Sequence, residues 1–338
     1  MKAFTFVRPD SIEAASKAAA EKGSVLKAGG IDLLDRMKER VDEPDRVVWL
    51  GDVSHPGIRE ILLATRDEQQ VAVLIGSLVT LAEIAASPEV RRACPALSEA
   101  AGLAASPQIR ARATLGGNLL QHTRCGYYRH RSFPCLKRGD DACPVLEPGA
   151  VQDSAAIFGN RPCASAHPSS LAPVLAACAT MAMVPTDAAK ELMRGMTLAG
   201  DFFAVAPTRG EKSDSRLEPG SVLSQVQVDL VANRRSVYEE IRQKAAFDWA
   251  LVSCCVRVDM DGDKVTAAGI WLGSVAPTPW HAEAAEKALV GKSLTDATIR
   301  AAAEAAVTGA TPLPGNAYKV DLVKVVVRRA LERLRSMK

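Results

Sequence analysis

Apolar and polar residues alternate in short stretches near the start of the chain, and the stretches between them follow a helical period. Strands are predicted at about residues 3–7, 24–28 and 47–50, with helices between them. Ser11, just before the first helix, suits an N-cap because its hydroxyl can accept a hydrogen bond from a free backbone N–H. This order of elements predicts a βαβ-like unit over about the first 55 residues.

The middle of the chain also contains segments with the alternation of strands and segments with the period of helices, but in a different order. Residues 58–63 and 71–75 are predicted to be paired strands across a polar turn. Two helices are predicted between residues 76 and 103, and a further strand pair over residues 179–207. The polar, charged stretch at 208–220 contains Gly and Pro and is expected to be a loop.

The last third of the chain has longer alternating runs followed by alanine-rich helical segments. Strands are predicted at 222–228, 238–242, 251–258 and 265–272, and helices at about 281–289, 294–307 and 320–337. Asp261 and Gly262 suit a hairpin turn between the last two strands. The pattern predicts an antiparallel sheet covered by helices on one face, and the chain as a whole is of the α+β class.

Length and charge exclude few classes of protein. A chain of 338 residues exceeds the size at which one core keeps growing, so two or three domains are expected. The formal net charge of +3 is weak for this length, so nothing in it indicates nucleic-acid binding. No apolar run approaches the length needed to span a membrane.

The start of the sequence lacks a charged region followed by an apolar region and a cleavage site, so synthesis in the cytosol without independent export is expected. In a reducing compartment, the eight cysteines favour metal or buried-thiol roles over disulfides. Four of them lie in apolar or helical surroundings and are expected to pack as small hydrophobic residues: Cys94, Cys178, Cys254 and Cys255.

The other four cysteines, Cys125, Cys135, Cys143 and Cys163, lie close to one another in the sequence. They are separated by nine, seven and nineteen residues. Zinc sites usually draw ligands in close pairs, and no such pair is present, whereas an iron–sulfur cluster is larger and can be wrapped by an irregular loop. The spacing alone leaves open an iron–sulfur cluster, a zinc ion, and disulfides or free thiols.

Basic residues crowd the same segment: Arg124, Arg129, Arg131, Lys137 and Arg138. They could offset the negative charge of a thiolate-ligated cluster, or they could form a solvated basic face. Tyr127 and Tyr128 follow Cys125 and are expected to pack around a cluster, although a position between the cluster and a second cofactor is also possible.

Two glycine pairs stand out in the sequence. Gly29 and Gly30 lie between a predicted strand and a predicted helix, and Gly116 and Gly117 belong to a turn that follows Thr114 and leads into the cysteine segment. Glycine permits close approach of backbone N–H groups to a phosphate, so the first pair is a candidate anion-binding turn. A glycine pair by itself is more often only a turn.

Five motifs in order resemble one family, the FAD-binding subunits of molybdenum hydroxylases of the xanthine dehydrogenase and aldehyde oxidase type. The motifs are KAGGIDLLDRMK at 27–38, ATLGGNLL at 113–120, DFF at 201–203 with LEPGSVLSQVQV at 217–228, LGSVAPTPW at 272–280, and PLPGNAYKVDLVKVVVRRAL at 312–331. The resemblance implies a two-part FAD-binding domain of the PCMH type, with subdomains at 1–55 and 56–225. It also implies a C-terminal α+β domain of the CO dehydrogenase flavoprotein type at 226–338.

Within that family, the segment at about 121–165, called the insertion below, is similar to one found in the flavin subunit of bacterial periplasmic aldehyde oxidoreductases. QHTRC, FPCLKR and HPSS in this chain resemble QRTRC, FPCNKR and HPSD, which frame the ligands of a [4Fe–4S] cluster there. The resemblance implies that Cys125, Cys135, Cys143 and Cys163 hold such a cluster. The flavin subunit of 4-hydroxybenzoyl-CoA reductase also carries an inserted cluster.

The resemblance also implies FAD contacts, residue by residue. The expected contacts are Lys27, Ala28, Gly29, Gly30, Ile31, Asp32, Leu33 and Leu34 around the pyrophosphate, Ser106, Thr114, Gly117, Asn118 and Gln121 on the second side, and Leu217 and Lys244 nearer the ring. Ile31 replaces the family's threonine, and Ser170 replaces the aspartate of HPSD. No catalytic acid, base or nucleophile is expected in this chain.

The function implied by the resemblance is electron transfer within a heteromeric complex of the aldehyde oxidoreductase type, with a xanthine dehydrogenase-like or a hydroxybenzoyl-CoA reductase-like complex as the alternative. The expected partners are a molybdopterin-binding large subunit and a small subunit with [2Fe–2S] clusters, in the cytoplasm or exported to the periplasm with a signal-bearing partner. Two alternatives are a free-standing flavin oxidase with structural zinc and a scaffold that has lost its flavin.

Overall fold

The N-terminal unit is a three-stranded parallel sheet with two helices. The computed structural model describes residues 1–179, 181–187, 192–203 and 208–337. The elements of this unit are β1 (Thr5–Val7), α1 (Ile12–Ala20), β2 (Ser24–Lys27), α2 (Ile31–Lys38) and β3 (Arg46–Trp49). The strand order is β1-β3-β2. The predicted βαβ-like unit is therefore confirmed, and the Ser11 hydroxyl caps α1 by accepting from Ala14 N at 3.2 Å.

The second unit is built on a five-stranded antiparallel sheet. Its strands are β4 (Ile61–Arg66), β5 (Gln69–Gly76), β6 (Met181–Asp187), β7 (Leu192–Met196) and β8 (Gln225–Asp229), in the order β4-β5-β8-β6-β7. Both predicted strand pairs are present. Residues 204–207 of the predicted second pair lie outside the described residues. The sheet places β8, which is distant in sequence, between the two hairpins.

Short helices accompany this sheet, and most begin at a capping hydroxyl or a proline. They are α3 (Leu81–Ala86), α4 (Pro88–Ala93), α5 (Pro95–Leu103), α6 (Pro107–Arg110), α7 (Leu115–Leu119), α8 (Gly126–Arg129) and α9 (Leu171–Cys178). Thr80 and Glu83 form a capping box at the start of α3, which satisfies two backbone donors at once. Every residue of α9 is buried, because this helix lies at the centre of the main core.

The C-terminal domain is an antiparallel sheet with three helices. Its elements are β9 (Arg234–Arg242), β10 (Ala250–Asp261), β11 (Lys264–Gly273), β12 (Trp280–His281), α10 (Glu283–Leu289), α11 (Asp296–Ala305) and α12 (Tyr318–Ser336), with strand order β12-β11-β10-β9. Helix α12 packs along β9 and β10, as predicted. The other face of the sheet is not open, because α5 and α9 of the preceding unit cover it. This explains the nearly continuous burial along β10.

Three of the cysteines predicted to pack as hydrophobic residues meet in this contact between the two units. Cys178 Sγ lies 4.0 Å from Cys255 Sγ, and Cys94 Sγ lies 3.6 Å from Ser236 Oγ. All three thiols are buried. Cys254 is also buried, on the side of the sheet that faces α12, and burial raises its pKa. The prediction that these four cysteines lie in the core is confirmed.

No helix in the described part of the chain is both long enough and apolar enough to cross a membrane.

Candidate functional site

A cleft of about 430 Å³ lies where the N-terminal unit, the second unit and the C-terminal domain meet. Eleven of the fifteen residues predicted to contact FAD line it. They are Ala28, Gly29, Gly30, Ile31, Asp32, Leu33, Ser106, Thr114, Gly117, Asn118 and Gln121. The fold therefore brings both glycine motifs to one cavity, although they are more than 80 residues apart in the sequence.

The other four predicted contacts lie outside the lining of this cleft. The Lys27 ammonium points toward Trp49, 5.6 Å from the ring centroid, and burial lowers its pKa. Leu34 packs with the small core beneath α2, and Leu217 packs against the core of the second unit. Lys244 is exposed in the loop between β9 and β10. The structure thus gives Lys244 the solvated position that is usual for a lysine at the end of a strand.

The first glycine turn is shaped by two different constraints. Gly30 has φ +84° and serves as the N-cap of α2, where it offers no side chain to the free backbone donors. A Cβ on Gly29 would lie 1.9 Å from the carbonyl oxygen of Arg112. The first motif therefore touches the backbone leading into the second motif. The eight-residue helix α2 begins in the cleft with its N–H groups available, an arrangement that suits a phosphate group.

The second glycine turn is held in shape by its own polar side chains. Thr114 Oγ1 accepts from Gly117 N at 3.2 Å, and Gln121 Nε2 donates to Asn118 O at 2.8 Å. The Ser169 hydroxyl donates to Asn118 Oδ1 at 2.6 Å. Because these contacts fix the turn, it forms a rigid wall of the cleft. Ser106 likewise caps α6 through Ile109 N at 3.3 Å.

Asp32 joins the first glycine motif to the insertion. Its carboxylate accepts from Arg129 Nη2 at 2.6 Å and Arg36 Nε at 2.9 Å, and Arg124 Nη2 lies 3.1 Å away. His122 N donates to the same carboxylate at 3.1 Å. Burial alone would raise the pKa of Asp32, but the three guanidinium groups hold it below its ordinary value. Asp32 is therefore a structural anchor as well as part of the cleft wall.

The basic residues of the insertion are mostly engaged in structural contacts. Arg138 Nη1 donates to Tyr127 O at 2.8 Å, and the fully buried Lys137 pairs with Asp214. Arg131 forms an exposed pair with Glu43 at 3.4 Å. Together with the contacts of Arg124 and Arg129 to Asp32, these pairs show that the segment is not simply a solvated basic face. The acidic partners of these basic residues are distant in sequence, so only the folded structure shows them.

Acid should loosen the contact between the N-terminal unit and the loop at 208–220. Asp42 pairs with Arg36 and accepts from Lys212 Nζ at 2.8 Å, and these cations hold its pKa below the ordinary value even though burial opposes them. A carboxylate with a lowered folded pKa contributes stability above its unfolded pKa of about 3.9, and that stability is lost as the pH falls through the folded value. We expect the urea midpoint to be flat from about pH 7 to 5 and to fall below about pH 4. Asp42→Asn should fall less steeply, and an unchanged slope would contradict this assignment.

The insertion leaves the second unit and rejoins it at nearly one point. The Thr123 hydroxyl donates to the carbonyl of Ala166 at 3.1 Å. Beyond this junction, His167 is fully buried, which lowers its pKa to about 3, and its ring packs edge-on against Phe203. A neutral His167 therefore closes the base of the loop.

The four cysteines of the insertion converge. Cys135, Cys143 and Cys163 are buried, and Cys125 contacts the side-chain clusters that hold the other three. Burial raises the pKa of Cys125 to about 11, with smaller contributions from Cys163 and Cys135. A hydrogen bond between Cys143 and Cys163 lowers the pKa of the first thiol and raises that of the second. Among the described residues, no three His, Cys, Asp or Glu side chains converge closely enough for one metal ion.

The two tyrosines of the insertion pack around these cysteines, as the sequence predicted. Tyr128 is buried, and its hydroxyl lies 2.6 Å from His122 Nδ1. Tyr127 packs edge-on against Phe133, with ring centroids 5.1 Å apart, and its hydroxyl accepts from Val151 N at 2.9 Å. These contacts give each ring a structural role.

The two departures from the family motifs both line the cleft. Ile31 is 38% exposed, so it presents an apolar side chain to the cavity. Ser170 occupies the N-cap position of α9 without a capping hydrogen bond, because Ser169 Oγ accepts from Ala172 N at 3.0 Å instead. The main-chain donors of the first turn are unaffected by either residue.

The residues that line the cleft and were not predicted as FAD contacts include Arg124, Glu240, Phe247 and Trp249. The last three come from the C-terminal domain. Phe247 and Trp249 are 66% and 47% exposed, although both are large apolar side chains. The sequence FDWA in a loop between two predicted strands was an available signal, because aromatic residues in an exposed loop often mark a binding site.

Comparison with known families and proteins agrees with this geometry. A family model described as "FAD binding domain in molybdopterin dehydrogenase" matches residues 2–229. A second model, described as "CO dehydrogenase flavoprotein C-terminal domain", matches residues 236–334. The matched ranges follow the division between the second unit and the C-terminal sheet.

Individual relatives match over nearly the whole chain. The aldehyde oxidoreductase FAD-binding subunit PaoB of Escherichia coli (strain K12) is 33% identical, with 99% of each chain covered. The carbon monoxide dehydrogenase medium chain of Hydrogenophaga pseudoflava is 29% identical, with 97% of this chain and 96% of the relative covered. A solved structure of carbon monoxide dehydrogenase from Hydrogenophaga pseudoflava superposes with a TM-score of 0.71 at 28% identity, covering 97% and 96% of the two chains.

Proposed function

Since this chain belongs to the family of FAD-binding subunits of molybdenum hydroxylases, we propose that it binds FAD in the cleft and carries electrons within such a complex. It is an oxidoreductase subunit, and its relatives include the medium chains of carbon monoxide dehydrogenases. The proposed partners are a molybdopterin-binding large subunit and a [2Fe–2S] small subunit. Of the possible complexes, an aldehyde oxidoreductase is favoured by the match to the aldehyde oxidoreductase subunit.

The flavin proposal rests on one observation. The two glycine turns face the same cleft, and the backbone of the first turn contacts the backbone that leads into the second. Gly29 packs against the backbone at Arg112, which leaves no room for a side chain, and Gly30 starts α2 in a left-handed conformation. A dinucleotide pyrophosphate needs such close backbone approach, and the apolar walls of the cleft suit a flavin ring. When bound, the flavin supplies electron uptake and release, and this chain's residues hold it and exclude water.

A scaffold that has lost its flavin is less well supported. That alternative is based on Ile31 and Ser170, which depart from the family motifs. Both residues leave the backbone donors of the glycine turns in place. Neither side chain fills the cleft, which retains its volume of about 430 Å³.

We also propose that the insertion holds a [4Fe–4S] cluster on Cys125, Cys135, Cys143 and Cys163. The support is that the four thiols lie in two apolar side-chain clusters, one with Cys143 and Cys163 and one with Cys135, and that Cys125 packs against both. Zinc sites usually draw ligands in close sequence pairs, which this segment lacks, so the four cysteines suit a cluster better than zinc.

The first test is the content of FAD, iron, acid-labile sulfide and zinc in anaerobically purified protein. The proposal expects about one FAD, four irons and four sulfides per chain. Zinc without sulfide would overturn the cluster and leave the flavin assignment to its own stoichiometry. Iron and sulfide without flavin would overturn the flavin assignment alone.

Replacing one proposed ligand should remove the cluster. In Cys143→Ser, we expect iron and sulfide to fall to less than about a quarter of the wild-type content, because three remaining thiolates hold a cubane poorly. The matched control is Cys254→Ala, which alters a cysteine buried in the C-terminal core and should keep the full iron content. Equal iron in Cys143→Ser and wild type would show that Cys143 is not a ligand.

A further inference from the structure

A second cavity, of about 550 Å³, lies beside the cleft assigned to FAD. Arg124, Asp248, Trp249 and Ala250 line both cavities, so these residues form a common wall. The Arg124 guanidinium stacks on the Trp249 ring at 4.5 Å from its centroid. Cys125, next to Arg124 in the chain, lines only the second cavity. This space therefore borders both the FAD cleft and the cysteine cluster.

The walls of the second cavity favour a flat, apolar ligand. Tyr127, Phe133 and Trp249 supply aromatic surface, and Val145 and Val151 supply aliphatic surface. Phe133 and Trp249 are 46% and 47% exposed, and Val151 is 71% exposed, so apolar groups remain in contact with solvent at its edge. Exposed aromatic groups around a cavity are typical of a site that stacks on a planar ring.

The polar groups in this cavity suit a neutral ligand. His130 and Gln243 line it, and both carry N–H groups that can donate to a carbonyl oxygen. Its charged side chains are already engaged: Arg124 pairs with Asp32 and Asp35, and Asp248 accepts from Lys244 N and Trp249 N. Among the described residues that line this cavity, Arg124 is the only lysine or arginine, and its ion pairs leave little positive charge for the phosphate groups of a nicotinamide dinucleotide.

We propose that the second cavity binds a quinone that accepts electrons from FAD across the wall formed by Trp249 and Arg124. The proposal rests on the proposed function, since FAD in the first cleft is the electron donor. In the overall exchange, the reduced flavin gives up two electrons and two protons and returns to its oxidised form. The quinone takes them up, and its two carbonyl groups become hydroxyl groups. No other reactant is needed.

The test is direct binding of menadione, a small soluble quinone, to the oxidised full-length chain with FAD bound, measured by isothermal titration calorimetry. Phe133→Ala should weaken binding about tenfold, because it removes one aromatic wall. Phe6→Ala is the matched control, since it alters a similarly exposed phenylalanine on the N-terminal sheet and should leave the affinity unchanged.

A second measurement follows the electrons. After anaerobic photoreduction of FAD, reoxidation by menadione should be about tenfold slower in Phe133→Ala, while reoxidation by ferricyanide should keep its wild-type rate. Absence of saturable menadione binding by folded, FAD-loaded protein would overturn the proposal. Equal weakening in Phe6→Ala and Phe133→Ala would also overturn it, because the effect would then not depend on the second cavity. FAD content, measured on the same samples, tests the proposed function separately.

Discussion

Gly29→Ala should yield a folded chain that retains less than about a tenth of its FAD, a loss equivalent to about 1.4 kcal/mol or more of binding free energy. The added Cβ would lie 1.9 Å from the carbonyl oxygen of Arg112 and 2.9 Å from its carbon, both of them backbone atoms. Neither turn can yield as a flexible side chain would, so the two glycine motifs must move apart. The measurement is the ratio of flavin to protein absorbance after gel filtration.

The matched control for this prediction is Gly102→Ala. A Cβ at Gly102, in helix α5, would meet only the Cβ of Ala85 at 3.7 Å, an ordinary contact. This variant should keep its flavin and gain slightly in helix stability, because alanine has the higher helix propensity. A Gly29→Ala chain with full flavin content would mean that the close approach of the two motifs is not required for FAD binding.

The second large effect is expected from Asp32→Asn. The substitution keeps the size of the side chain and removes the charge that faces Arg36, Arg124 and Arg129. Breaking a buried ion pair by removing one partner typically costs about 3 to 5 kcal/mol, because a cation is left buried without compensation. We expect a loss of about 3 kcal/mol in the free energy of unfolding, measured from the urea transition at pH 7.

Asp35→Asn separates the burial effect from the charge effect. Asp35 contacts Arg124 at 3.0 Å and Arg129 at 3.5 Å, but its side chain is 45% exposed. A solvent-exposed ion pair contributes about 1 kcal/mol or less, so this control should unfold close to the wild-type midpoint. If both variants lost the same stability, the ion pairs of Asp32 could not be the anchor of the insertion.

Local periodicity was sufficient to predict most of the individual elements. The long helix predicted at 320–337 is α12 (Tyr318–Ser336), and the hairpin at Asp261 and Gly262 joins β10 and β11. These features depend on residues close in sequence. The position of β8 between β5 and β6 could not be predicted, because it depends on pairing between residues about 150 positions apart.

The candidate site also contains features that local sequence predicts and contacts that depend on distant residues. The glycine turns carry their own conformational signal, and both face the cleft as the family resemblance implied. The partners of Arg124 and Arg129 were not visible in the sequence, because a basic residue that is solvated and one that is paired with a distant carboxylate look alike. Lys244 stays a prediction: the family position implies a flavin contact, and its side chain is exposed in the loop between β9 and β10.

The hydrogen bond from Thr123 to Ala166 has an evolutionary consequence. The 42 residues between these two contain all four converging cysteines and no strand of either large sheet. Because the segment begins and ends at adjacent points, its gain or loss in one event would leave the strand register of both sheets unchanged. Chains with and without the cysteine segment can therefore descend from one another by a single insertion or deletion.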